Sequence, residues 1–184
     1  MNDLQLSKTK RAIRAVLMWV GVVVLVGCQS RPAAEVHYYL LQPSVNDLPR
    51  EFVEVANIEL PAYLKSSSVM LGVSDNEIRP AQYHLWSEPM EEGMRRVLEA
   101  ELVSRLKYVD REVVPMKIDL KVELFHATAS GRVILKGVWR IRGDDAQRSA
   151  FSIQMGIGEG GYPAAVRAHV SALASLTDEI AKSL

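Results

Sequence analysis

The chain has 184 residues, 48% of them hydrophobic and 24% charged, with 22 basic side chains against 22 acidic ones and one cysteine. A lone thiol cannot close an internal disulfide, so the fold must stand on its own apolar core. Lys and Arg are mixed with Glu and Asp over most of the chain, without the basic face and interleaved aromatics of a nucleic-acid binder, and no repeat or long low-complexity tract is present.

The first fourteen residues carry Lys8, Lys10, Arg11 and Arg14 against Asp3 alone, and Ala15 to Val26 follow without a charge. That is the layout of a secretory signal. The apolar run has twelve residues, short of the roughly 20 that span hydrocarbon as a helix. Gly27-Cys28-Gln29-Ser30-Arg31 then turns the chain polar, so a permanent transmembrane helix is not expected. Cys28 closes the string Leu25-Val26-Gly27-Cys28, which resembles the bacterial lipobox. The resemblance implies cleavage between Gly27 and Cys28, a thioether from Cys28 to diacylglycerol, and acylation of the new amino group. One myristoyl-sized chain binds only marginally at about 0.8 kcal/mol per methylene, so two or three chains on one residue would hold durably. A buried core thiol, the competing reading, needs no basic and apolar preface.

Removing residues 1–27 leaves 157 residues, with 18 basic and 21 acidic side chains and a net charge of −3. That is the size of one ordinary domain. The expected organisation is a lipoprotein signal peptide over 1–27, a lipidated tether over 28–35 and a single domain over 36–184. From Gln29 to Glu35 the tether has seven residues, which reach at most about 23 Å at roughly 3.3 Å each. The domain is thereby expected to sit close to its membrane.

The body opens with the apolar run His37 to Leu41, stopped by Pro43 and read as a strand. Phe52 to Leu60 is rich in strand formers and ends at Pro61. Ser68 to Val73 and Glu77 to Trp86 read as a hairpin about Ser74-Asp75-Asn76, with Pro80 marking an edge or a bulge. Ser87-Glu88-Pro89 opens a helix, with Ser87 as the capping hydroxyl and Glu88, Glu91 and Glu92 facing the positive end of its dipole. Met90, Met94, Val97, Leu98, Leu102 and Leu106 share one face of it, and Arg105 and Lys107 suit its far end.

Three more strands follow. Ile118, Leu120, Val122 and Leu124 alternate with Lys117, Asp119, Lys121 and Glu123, which predicts one buried and one wet face. Ser130-Gly131 and Gly143-Asp144-Asp145 turn the chain into two further strands, with Val133, Leu135, Gly137, Trp139 and Ile141 on one face of the first and Phe151, Ile153, Met155 and Ile157 inward on the second. A final helix over Pro163 to Ser183 carries Val166, Val170, Leu173, Leu176 or Thr177, and Ile180 on one stripe. The expected fold is α+β, an antiparallel sheet of hairpins packed against two amphipathic helices in a two-layer sandwich.

Little in the chain points to chemistry. Gly156-Ile157-Gly158-Glu159-Gly160-Gly161 fits G-x-G-x-x-G, but the preceding strands read as hairpins rather than crossovers, and Asp178 and Glu179 fall in a helix instead of a following strand. A flexible turn is the expectation. His37, His84, His126 and His169 are scattered, none with another histidine or a cysteine at metal-ligand spacing, so no metal and no cofactor is expected. Ser66-Ser67-Ser68 is no nucleophile elbow, although a hydrolase assembled by the fold from distant side chains stays open.

Several segments together resemble the ABC-type transport auxiliary lipoproteins, the paraquat-inducible protein C-like family. They are Tyr38-Tyr39-Leu40-Leu41 with Pro43, Val55 to Leu64 containing Leu60-Pro61-Ala62-Tyr63-Leu64, Trp86-Ser87-Glu88-Pro89-Met90, Arg96-Val97-Leu98 with Leu102, and Ala174 to Ala181. Met90 stands where the family more often has leucine. The resemblance implies a non-enzymatic envelope lipoprotein of a Gram-negative bacterium, working with an inner-membrane transport component and a mammalian-cell-entry-domain protein to carry lipids between the membranes, with a homo-oligomer as one form it could take. Gln29, in place of the aspartate that retains lipoproteins in the inner membrane, implies outer-membrane sorting. Leu60, Pro61, Tyr63, Leu64, Trp86 and Pro89 are the residues such a partner could touch, or they are structural: Leu-Pro commonly ends a strand and a tryptophan before a helix is usually core. The alternative function is a stand-alone lipid-binding or structural envelope lipoprotein.

Overall fold

The computed structural model describes residues 33–45, 53–106 and 116–183. Cys28, Gln29 and Lys107 lie outside the described residues. The chain divides into two units, Met1–Glu35 and Val36–Leu184. Of the first, residues 33–35 are described and are exposed and without regular structure. The second runs β1 (His37–Tyr39), β2 (Val53–Glu59), a short 3-10 turn (Ala62–Lys65), β3 (Ser68–Ser74), β4 (Glu77–Trp86), α1 (Met90–Arg105), β5 (Met116–Thr128), β6 (Arg132–Ile141), β7 (Asp144–Gly156) and α2 (Gly161–Ser183).

The α+β class, the hairpins and the two helices are as the sequence predicts. The sheet itself is mixed, in the order β1-β4-β3-β5-β6-β7. The pairs β3–β4, β5–β6 and β6–β7 are antiparallel hairpins, whereas β1–β4, β2–β5 and β3–β5 are parallel. Those parallel contacts join strands distant in sequence. One edge of β5 is shared: its first half pairs with β2, as in Val55↔Ile118 and Glu59↔Lys121, and its end pairs with β3 at Leu71↔Ala127 and Gly72↔Thr128. β2 and β3 therefore run head to tail along one edge of the longest central strand.

Both helices cover one face. α1 lies over β2 and against α2, and α2 lies over β5, β6 and β7. Met90, Met94, Val97, Leu98 and Leu102 of α1 are buried as their spacing predicts. On α2 the buried stripe is broader than the branched residues suggest. Ala164, Ala165, Ala168 and Ala172 press close to the sheet beside Leu173, Leu176 and Ile180, and Val166 and Val170 are only half-buried. The outer edge of β2 is covered by α1, where Glu99 accepts the Val55 N–H at 3.1 Å and Arg95 donates to the Val55 carbonyl.

One predicted face is interrupted. Register shifts between Val122 and Leu124, opposite Gly137 and Lys136. The extra residue of a bulge reverses the alternation, so Phe125, not Leu124, continues the buried face at 1% exposure, and Leu124 turns to the other side, half-buried. Gly137 makes this possible. A Cβ there would stand 2.2 Å from the Lys121 carbonyl oxygen and 2.8 Å from Phe151 Cζ. The carbonyl belongs to the sheet backbone and cannot swing aside, and the Phe151 ring is buried. Gly137→Ala is therefore expected to cost about 1–3 kcal/mol by overpacking, read as a lower urea midpoint; an unchanged midpoint would contradict the close approach.

Candidate functional site

The motif Leu60-Pro61-Ala62-Tyr63-Leu64 fills the break between β2 and β3. Pro61 has no N–H to donate, so β2 ends there, and its extended backbone (φ −63°) leads into the 3-10 turn. Leu60 and Leu64 turn into the core. Between Lys121 and Ala127 the β5 edge has no strand beside it, and a backbone donor left bare there would cost about 1–3 kcal/mol. Tyr63 supplies the partner: its phenol oxygen accepts the Phe125 N–H at 3.0 Å and is hydrogen-bonded to His126 Nδ1 at 3.1 Å. The phenol can accept from Phe125 and still donate its own proton to Nδ1 when that nitrogen is unprotonated. Burial raises the Tyr63 pKa, offset in part by the Phe125 N–H, and burial lowers that of His126. Both groups are held neutral.

The second motif, Trp86-Ser87-Glu88-Pro89-Met90, holds β1 to the body. Trp86 is buried and meets His169 edge-on at 5.4 Å. Ser87 is not the helix cap its position suggests: the cap position is Pro89, without a side-chain hydrogen bond. Ser87 instead donates its N–H (2.8 Å) and its hydroxyl (3.0 Å) to the Tyr39 carbonyl. Glu88 likewise faces a side chain more than a dipole. It accepts from Arg96 Nη1 at 2.7 Å, and Arg96 Nη2 donates to the Leu41 carbonyl at 2.7 Å. Leu41, at 2% exposure, lies beside Gly93, where a Cβ would come within 3.3 Å of it and 2.9 Å of the Glu88 carboxylate. Three of the segments singled out in the sequence, Tyr38 to Leu41, Trp86 to Met90 and Arg96 to Leu98, thus meet in one joint.

A groove of about 450 Å³ opens between the end of β2, the 3-10 turn and the start of α1, lined by Leu60, Leu64, Lys65, Pro89, Met90 and Glu91 among others. It brings the two motifs to one place. Leu60, Leu64 and Met90 form its apolar floor and are buried, Pro89 is exposed on its rim, and Lys65 and Glu91 bring opposite charges. Trp86 points into the core. Pro61 and Tyr63 are half-buried.

The remaining motifs fall into structural places. Ala174 to Ala181 belongs to α2, where Leu176, Thr177 and Ile180 are buried and Asp178 pairs with Arg105, itself 2.6 Å from buried Glu101. Glu101 also accepts the Ser44 N–H at 2.7 Å. The glycine-rich run joins β7 to α2, and β7 is antiparallel to β6, so it does not open a crossover of the dinucleotide-binding kind. Among the described residues no group of three or more His, Cys, Asp or Glu is placed to hold a metal, and no helix is long and apolar enough to cross a membrane. Nothing in the spacing of the histidines announces where they lie. His169 is wholly buried, its Nδ1 hydrogen-bonded to the Ala165 carbonyl at 2.7 Å, and packs edge-on to Phe125 at 4.8 Å.

The chain belongs to the family of ABC-type transport auxiliary lipoprotein components, whose model matches residues 39–181. In fold it is similar to an uncharacterized protein of known crystal structure, with a TM-score of 0.69 and 23% identity over 81% of this chain and 98% of that one. It is also similar to a Xanthomonas campestris protein of the DUF330 family, with a TM-score of 0.52 and 15% identity over 82% and 85% of the two chains. No curated protein sequence matches the chain.

Two outcomes follow from this geometry. Tyr63→Phe bares the Phe125 N–H while keeping the ring, and should cost about 1–3 kcal/mol in urea unfolding; a loss near zero would mean that the hydroxyl does not close the sheet. Burial lowers the His169 pKa to about 4. Below the ordinary histidine value of 6.5 the unfolded chain takes up a proton that the folded one refuses, so stability falls with pH until about 4, by about 3 kcal/mol for this group at 1.4 kcal/mol per unit. His126 and His84, also lowered, act in the same direction. Stability curves of the wild type and His169→Leu between pH 7 and 4 should show a shallower slope for the variant, and parallel slopes would contradict the assignment.

Proposed function

We propose that the chain is a non-enzymatic docking component of an intermembrane lipid-transport system, exported by the signal at residues 1–27 and held at the periplasmic face of the outer membrane through lipidated Cys28, with Gln29 directing it there. The tether over 28–35 carries the domain over 36–184. Its partners are a mammalian-cell-entry-domain protein and an inner-membrane transport component. The observation that carries this reading is the family match over residues 39–181, supported by the basic and apolar preface to Cys28 and by a fold whose shared motifs build joints and a groove. The partner-contact surface is assigned to that groove: Leu60 and Leu64 as its floor, Pro89 on its rim, and Pro61, Tyr63 and Trp86 holding it in shape. An extended apolar segment with a charge at each end would fit between Lys65 and Glu91.

Isolation from membranes in mild detergent tests the reading. A mammalian-cell-entry-domain protein should co-purify with the wild-type chain, and much less with Pro89→Arg, which alters the exposed rim. Its absence from both preparations would overturn the docking role and leave the stand-alone lipoprotein. Gln29→Asp should shift the protein to the inner-membrane fraction, and Cys28→Ala should abolish incorporation of labelled fatty acid; continued labelling would contradict the anchor.

A further inference from the structure

The large hydrophobic side chains exposed among the described residues gather at one corner: Val36, Tyr38, Leu40 and Tyr83. Strand alternation puts Val36, Tyr38 and Leu40 on one side of β1. On the other side, His37 stacks on His84, and Tyr39 is hydrogen-bonded to His84 at 2.9 Å. Because His37 is level with His84 and Tyr38 with Leu85, Val36 comes beside Tyr83 one step back in the same parallel register. The result is a continuous apolar and aromatic patch at the edge of the helix-free face. Across β2, β5 and β6 the sheet carries charge, with the pairs Lys117–Glu54, Lys121–Glu59 and Lys136–Glu123 and Asp119 held between Arg140 and Arg142. The contrast is local.

The patch begins at Val36, where the seven-residue stretch from Gln29 to Glu35 ends. We propose that this corner lies on the headgroup region of the bilayer that holds the Cys28 lipid; the proposal rests on the anchor assigned above. The chain itself argues for that occupant, since an extended tether of about 23 Å keeps Val36 near the bilayer in every conformation. Weak affinity of the patch for the bilayer suffices at such an effective concentration. Tyrosine, with an apolar ring and a polar tip, is the side chain that favours the headgroup level. The ladder of β1 has only three residues, a poor template for strand addition by a second copy. The sheet then stands on its β1 edge, and β7, five strand spacings away in the sheet order, lies about 24 Å farther from the lipid.

The test uses the full lipidated chain. Its Cys28 sulfur is a thioether, so one engineered cysteine carries the only free thiol. The chain bearing Tyr83→Cys or Ser152→Cys is labelled with a fluorophore and reconstituted into phosphatidylethanolamine–phosphatidylglycerol vesicles containing nitroxide-headgroup lipid. The probe at 83 should be quenched several-fold more than the probe at 152 on β7, and adding Tyr38→Ser with Leu40→Ser should remove most of that difference while flotation with the vesicles persists. Equal quenching at the two sites in floating protein overturns the proposal. So does a probe at 83 shielded from iodide yet untouched by the nitroxide lipid, which would place a protein on the patch. Failure to float overturns the anchor itself, and with it this inference.

Discussion

The edge of β5 facing β2 and β3 is the constraint on which the rest of the fold depends. A thirteen-residue strand must have its backbone groups paired along both sides, and here one side is served by two strands that do not meet. The break between them would expose amide groups in the middle of the sheet. Leu60-Pro61-Ala62-Tyr63-Leu64 resolves it by ending one strand at a proline, driving two leucines into the core and placing a phenol where the missing carbonyl would be. The turn that mends the sheet also forms one wall of the groove beside α1.

The start of the body obeys the same logic. β1 has a ladder of only three residues to hold it to the sheet. Ser87 fastens the Tyr39 carbonyl, and Arg96, held by Glu88, fastens that of Leu41, so β1 is joined to the body by side chains as well as by its ladder. The partly buried Arg96–Glu88 pair is better understood as a fastening of definite geometry than as a source of net stability, because desolvation offsets much of the attraction between buried charges. The motifs singled out in the sequence thereby act on the architecture, and the groove is what they leave facing outward.

Local pattern made much of this legible. The helical stripes, the β3–β4 and β5–β6–β7 hairpins and the end of β2 at Pro61 follow from periodicity and turn chemistry. The parallel pairings do not, because nothing in the short-range pattern of Val53 to Glu59 says which distant edge it joins. The bulge at Val122 to Leu124 was hidden behind a perfect alternation, and only Gly137, an unbranched residue in the middle of an apolar strand, hinted at a close approach. Ser87 has the residue type and position of a cap, but the stronger demand of the Tyr39 carbonyl claims it. At the candidate site, the one polar side-chain atom in Leu60 to Leu64 is the available clue to the role of Tyr63.

The β5 edge depends on Tyr63 to close it, and native-state hydrogen exchange reads that directly at the amide it caps. The Phe125 N–H should exchange as slowly as the neighbouring β5 amides bonded to β6, through global opening of the body. Exchange at Phe125 as fast as that of the exposed amides of residues 33–35 would contradict the joint, and with it the explanation of the motif as the element that closes the break along the β5 edge.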